Sequence, residues 1–446
     1  MKWSWIALLP LWFAPTSATS PVPRNRERCG LPENGASFET STPEAQMLNP
    51  DIVAEAIAYA TTHNRLTVQI FRGNCRVATG PLDPLLDEIP FNVWSVTKSV
   101  VSLLAGIAIG DGKMNLDDAV GQYLPQGPGW GNEAHRSITI RNLLTETAGL
   151  REAAIAEVLT SETEPNIVLT ALNEKVEHPN GTYFEYAQRV PDLLAFAVQQ
   201  AVGQDLQSFA QERLFGPIGT QRDDWFWLRD RSGNTYGYAH LFIKPSTLAS
   251  LGLLVQNNGT WNGNTVVPSN WIDQVQQSSS TNPCYGYLFW TNRGMPCTGA
   301  NVPDAQTVQR HMIPSAPNDL YAMIGFMWQD NFVIPSLDMT VTWTGVFGDY
   351  TPDLDQLLSA APGPLLWNFF EILMRSVEDQ QIPDPGPYRP DPLDLDVNPN
   401  NYLSIPIIFS DLFPNADCNV ISCNSTIPTK GLIENVQAIT GAALGL

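Results

Sequence analysis

The sequence predicts an α/β protein, with one sheet completed by both ends of the chain and a helical segment inserted between them. Three observations carry this reading. Patterned segments run strand and helix, a mostly helical stretch, several strands, then a closing helix, an order that brings early and late strands into one sheet. The run Val96–Ile109 is apolar on nearly every face, and a helix of that kind belongs in an interior. With 446 residues, 43% of them hydrophobic, the chain can bury a sizeable core.

Taken in order, residues 1–20 read as a secretory signal. Lys2 supplies the positive start, Trp3–Phe13 is short and apolar, and Ser17-Ala18-Thr19-Ser20 offers small residues for cleavage. The apolar run, broken by Pro10, is shorter than the roughly 20 residues a membrane span needs. A polar leader fills 21–45. Pro43–His63 reads as a helix, and Arg65–Arg72 as a strand in which Leu66, Val68 and Ile70 alternate with Thr67 and Gln69. A Pro- and Asp-rich loop leads to Val96–Ile109, which Gly110-Asp111-Gly112 ends. Residues 113–255 are expected to be mostly helical, with Ile138–Thr147 and Val190–Leu214 the clearest helices. Strands return at Gly286–Thr291, Leu320–Phe326, Phe332–Ile334 and Met339–Thr344, and Pro364–Val377 closes with an amphipathic helix. These limits give one domain over 46–377, with its sheet parts at about 46–93 and 280–377 and its helical part at about 94–279. From 378 to 446 the Pro/Asp-rich composition predicts an extension without regular structure.

The 45 acidic residues outnumber 24 basic ones for a net charge of −21, which disfavours nucleic acid and anionic membrane as partners. Six cysteines in a chain with a secretory start predict disulfides. Short separations favour Cys284–Cys297 and Cys418–Cys423, leaving Cys29–Cys75. No Cys/His spacing fits zinc, so no metal or other cofactor is expected. The acidic loop Asn115-Leu116-Asp117-Asp118 reads as a helix cap rather than a metal site. Asn180, Asn258 and Asn424 open glycosylation triplets, no more than chance supplies.

The chemistry centres on Ser95-Val96-Thr97-Lys98. On a helix, positions i and i+3 share a face about 5–6 Å apart at Cβ, so the lysine can take the serine's proton. Among six lysines only Lys98 has a serine three places before it. A lysine opening an apolar helix is partly buried, which lowers its pKa and makes it a usable base. The plainer alternative is a lysine that caps the helix or pairs with an acid. Ser95 would stand at the amino end of that helix, where the dipole favours negative charge. A Ser-His-Asp triad is the rival, but no Gly-x-Ser-x-Gly occurs and the five histidines lack supporting context.

About 90 residues beyond Ser95 lies Tyr186-Ala187-Gln188. Ser-x-x-Lys followed by Tyr-x-(amide) resembles the serine β-lactamase and penicillin-binding protein superfamily. The class C-like branch, with family VIII-type esterases and 6-aminohexanoate-dimer hydrolases, is the closer match. Ile138–Thr145 with Gly149-Leu150 resembles that branch's "ITIRHLLTHTSGL", and Leu214–Gly219 resembles "ERIFxPLG". The resemblance covers roughly 46–377. It implies a β-lactamase/transpeptidase-like fold, an antiparallel sheet flanked by helices with an all-helical insertion. It also implies Tyr186 as general acid and base with Lys98. Leu320–Gln329 resembles the amidohydrolase variant "fxAxGxxGQ", with Gly325 at the key glycine, where a substrate carbonyl could approach the strand. The N–H groups of Ser95 and Phe326 would then hold the oxyanion, and Gln188 would contact substrate.

The chain departs from the pattern in four places. It lacks the Lys/His-Thr-Gly strand motif, Gln188 replaces the usual Asn, and Met323 and Trp328 replace small residues, which would narrow the site. The function expected is a secreted serine hydrolase (periplasmic if bacterial) cleaving an ester or amide of a small molecule through a Ser95 acyl-enzyme. The alternatives are a catalytically silent binding protein, or a D,D-peptidase or β-lactamase. The sequence leaves substrate and oligomeric state open.

Overall fold

The computed structural model describes residues 26–33, 35–151, 164–301, 305–346 and 363–391. The proposed signal, the Cys418–Cys423 pair, Asn424 and the extension beyond 391 lie outside the described residues.

Among the described residues thirteen strands form, in chain order: β1 Arg65–Arg72, β2 Cys75–Thr79, β3 Phe91–Asn92, β4 Trp225–Trp227, β5 Leu241–Ile243, β6 Thr260–Trp261, β7 Asn264–Thr265, β8 Trp290–Thr291, β9 Cys297–Asn301, β10 Ala305–Val308, β11 Tyr321–Gly325, β12 Gln329–Ile334 and β13 Met339–Gly345. Six make the main antiparallel sheet in the order β2-β1-β13-β12-β11-β8, so early and late strands meet at β1 and β13. Residue alternation fixes its two faces. Phe332 and Trp343 pack against Phe370 and Phe369 of the helix Pro364–Arg375, with ring centroids 5.0 and 4.7 Å apart. The neighbouring Asn331 points the other way and donates to the Leu248 carbonyl of the helix Pro245–Gln256 at 2.5 Å. Pro50–Thr62 joins Pro364–Arg375 on the first face, while Val96–Gly110 meets β11. That helix is buried from Val96 to Ala108, as its all-round apolar pattern requires.

Several elements differ from the sequence reading, each for a local reason. The helix expected from Pro43 breaks, because Met47 turns left-handed (φ 57°) and Asn49 caps a new start at Pro50. Val190–Leu214 divides at Gly203 (φ 72°), and Asp205 caps the next turn. Ile138–Thr147 shrinks to Ile140–Leu144, capped by Thr139, with Glu146 left-handed at φ 53°. Of Gly286–Thr291 only Trp290–Thr291 is strand, since Leu288 turns at φ 57°. The stretch read as mostly helical also carries β4 and β5, which join β3 in a small sheet.

The loop at Asn115 is a closed turn and not a helix cap. Asp118 accepts from the Asn115 N–H (2.7 Å) and the Tyr123 hydroxyl (2.6 Å), while Asp117 pairs with Arg141. Disulfides join Cys29 to Cys75 and Cys284 to Cys297, both as expected. Among the described residues no helix is long and apolar enough to cross a membrane.

Candidate active site

Three backbone features deliver Ser95. Trp94 is left-handed at φ 46°, a strained conformation for an L-residue, and its N–H is tied to the Asn92 side chain at 3.0 Å. The first turn closes with Val96 N–H to Val93 O (3.1 Å) and Lys98 N–H to Ser95 O (3.0 Å). The Val93 N–H reaches Leu241 O at 3.0 Å, stitching this corner to β5. A serine at a helix N-cap ordinarily spends its hydroxyl on the first turn. Here it makes no capping bond and meets Lys98 Nζ at 3.2 Å.

Lys98 is only 1% exposed. Its Nζ bonds Ser95 Oγ, Gln188 Oε1 at 2.7 Å and the Tyr238 carbonyl at 3.5 Å, and its charge acts on the nearby Asp192 carboxylate. Nζ donates to all three oxygens, and its contact with the serine oxygen is the one along which a proton can pass between the two side chains.

Tyr186 approaches the same amine by its face, with Nζ 4.3 Å from the ring centroid. Its ring is buried in an aromatic cage, 5.5 Å from Trp290 and 6.0 Å from Tyr285. The contact favours the amine once it gains a proton, by about 0.5–2 kcal/mol.

Behind the amine lies a buried ionic cluster. Arg189 pairs with Asp192 (2.9 Å) and Glu164 (3.2 Å). Asp192 also accepts from the N–H groups of Gly237 (2.6 Å) and Tyr238 (3.3 Å), fixing the segment whose carbonyl receives Lys98. Burial pushes the Asp192 carboxyl up to about 6, against the pull of Arg189. His240 bonds the Tyr238 hydroxyl at 3.0 Å, and burial pushes its pKa down to about 3. It stays neutral and is no competing base.

On the far side, Gly325 ends β11 and Phe326 opens the turn to β12. A side chain at Gly325 would place Cβ 2.3 Å from the Val93 carbonyl, so the close neighbour demanding glycine is this chain's own backbone. Phe326 is 49% exposed and meets Trp94 edge-on at 5.4 Å. Met323 lies in the core rather than narrowing the site, and Trp328 packs part-buried against it. Among the described residues no group of three or more His, Cys, Asp or Glu side chains would hold a metal.

The structure thus gathers Ser95, Lys98, Gln188 and the Tyr186 ring, with Gly325 and Phe326 reaching the same corner through Val93 and Trp94. Sequence reasoning missed Trp94, Tyr238 and Asp192. The aromatic run Tyr236-Gly237-Tyr238 was the available signal for one of them.

Residues 68–266 match the family model described as Beta-lactamase. Protein flp of Staphylococcus aureus (strain MW2) is 27% identical over 131 residues, 29% of this chain and 26% of that protein. The chain therefore matches about a quarter of that relative's length. Among solved structures, a Bacillus anthracis protein assigned as a 6-aminohexanoate-dimer hydrolase aligns at TM-score 0.55 and 13% identity, over 74% of this chain and 87% of its own. EstCE1, a hydrolase with promiscuous acyltransferase activity, aligns at TM-score 0.52 and 15% identity, over 72% and 98%. At such identities the likeness is one of fold.

Proposed function

From the premise that this chain carries a domain of the serine β-lactamase and penicillin-binding protein superfamily, we propose that it is a serine hydrolase acting on an ester or amide of a small molecule. The observation that carries this is the Ser95 Oγ to Lys98 Nζ contact at 3.2 Å, with the amine buried and bonded also to Gln188 Oε1 and the Tyr238 carbonyl.

Lys98 takes the hydroxyl proton as Ser95 Oγ attacks the substrate carbonyl, and the resulting ammonium is held by Gln188, the Tyr238 carbonyl and the Tyr186 ring. The N–H groups of Ser95 and Phe326 receive the oxyanion. A proton passes through Lys98 and the Tyr186 hydroxyl to the leaving group, giving the acyl-enzyme. Water, activated by the same pair, then releases the acid and restores Ser95. The disulfides Cys29–Cys75 and Cys284–Cys297 support an oxidising compartment and hence the secreted location.

Short-acyl nitrophenyl esters assayed beside amide substrates, with Ser95→Ala as control, test the reading. The wild type is expected to cleave esters and the control to fall by at least about a thousandfold. Comparable turnover in the control would remove Ser95 from the mechanism. A folded wild type that cleaves nothing and resists fluorophosphonates would favour a binding protein instead.

A further inference from the structure

We propose that Arg65 is a positioning residue for the hydrolase reaction, holding the β11–β12 turn so that the Phe326 N–H keeps its aim at the Ser95 corner. This rests on the assignment of Ser95 as nucleophile and of the Phe326 N–H as oxyanion donor.

The turn is unusual in its residues. Gly325 pairs with Gln329, and the loop between them is Phe326-Met327-Trp328. Met327 and Trp328 are both left-handed, at φ 61° and 59°. Two successive large L-residues resist that conformation, and such strain persists only where the surroundings impose it. The local bond from Trp328 N–H to Gly325 O (3.0 Å) closes the turn but does not select these residues.

Arg65 supplies the restraint from a strand distant in sequence. Its side chain is 2% exposed, and one Nη donates to both the Met327 carbonyl (3.1 Å) and the Trp328 carbonyl (2.6 Å). The other Nη bonds the Val346 carbonyl, and Nε the His63 carbonyl at 3.3 Å. A planar fork of donors thereby ties the two strained carbonyls to the ends of β1 and β13. The fold makes room for it: a Cβ on Gly345 would stand 2.7 Å from the guanidinium carbon. Gln329 braces the same unit, its Nε2 reaching Met327 O at 3.2 Å and Gly345 O at 2.5 Å. On the front, Phe326 abuts Trp94 and Gly325 abuts the Val93 carbonyl, so any shift of the turn is a shift relative to Ser95. No substrate contact is required of Arg65.

The test compares wild type, Arg65→Lys, Arg65→Gln and the double variant Arg65→Lys with Met327→Gly. Nitrophenyl ester kinetics and fluorophosphonate labelling rates are read at a temperature where circular dichroism shows each variant folded. Loss of positioning predicts kcat and labelling rate down by about a hundredfold in Arg65→Lys, with KM changed less than about threefold. Glycine takes the left-handed conformation freely, so the added Met327→Gly is expected to recover several-fold in kcat. A merely structural arginine would lower the melting temperature without that kinetic split and without rescue by glycine. Wild-type kcat in Arg65→Lys, or a double variant no better than the single, overturns the proposal. If Arg65→Lys does not fold, the double variant carries the test: folding with measurable labelling supports the proposal, and failure to fold overturns it. A wild type inert to both reagents would instead remove the hydrolase reading beneath it.

Discussion

At the scale of single residues, Tyr186 presents its ring to Lys98, which makes the hydroxyl's contribution separable from the ring's. Tyr186→Phe keeps the face that lies 4.3 Å from Nζ and removes only the oxygen. If the phenol moves protons, kcat for esters drops by about 10²–10⁴-fold in this variant. A drop below about fivefold, read by steady-state kinetics, would reduce Tyr186 to a wall of the amine's pocket. Ser95 and Lys98 were legible because three positions on one helix put them together, whatever the rest of the chain does. Tyr238 and Arg65 were not, since Tyr238 meets Lys98 across 140 residues of sequence and Arg65 meets Trp328 across 263. The closeness of Gly325 to the Val93 carbonyl was hidden in the same way.

Among elements, the boundaries that sequence reasoning drew too generously were those where one residue turns left-handed. Met47, Gly203 and Leu288 each stop a run whose apolar pattern continues past them. The strand Arg65–Arg72 was read to the residue, because Leu66, Val68 and Ile70 alternate with Thr67 and Gln69 and Gly73-Asn74 ends it. Its packing yields a prediction. Asp83, at the start of the short helix Asp83–Leu86, accepts from the Val68 N–H of β1 at 3.0 Å. Burial raises its pKa from 3.8 to about 6. Between those two values only the folded state keeps the proton. The stability it lends is therefore full at low pH and lost as pH rises through about 6, at most about 3 kcal/mol. Asp83→Asn carries no charge at any pH. The melting temperature of the variant minus that of wild type is expected to be larger at pH 8 than at pH 4. An equal difference at both would show that the carboxyl is not held neutral.

For the molecule as a whole, the fold was readable as an order of patterned segments meeting in one sheet, while the small β3-β5-β4 sheet was not, its strands being only two or three residues long. The two disulfides among the described residues close loops of different size. Cys29–Cys75 spans 46 residues and holds the leader to β2, and Cys284–Cys297 spans 13. On the chain-entropy account their removal costs about 4 and about 3 kcal/mol respectively. Paired Cys→Ser variants in urea melts should rank in that order, and the reverse ranking would point to native-state strain rather than loop closure.

The proposed reaction is covalent chemistry at one oxygen, Ser95 Oγ. Intact-mass analysis followed by peptide mapping after brief exposure to a fluorophosphonate measures that directly. The prediction is a single adduct on the peptide containing Ser95, absent from Ser95→Ala. Turnover of esters without that adduct, or an adduct on another residue, would contradict it.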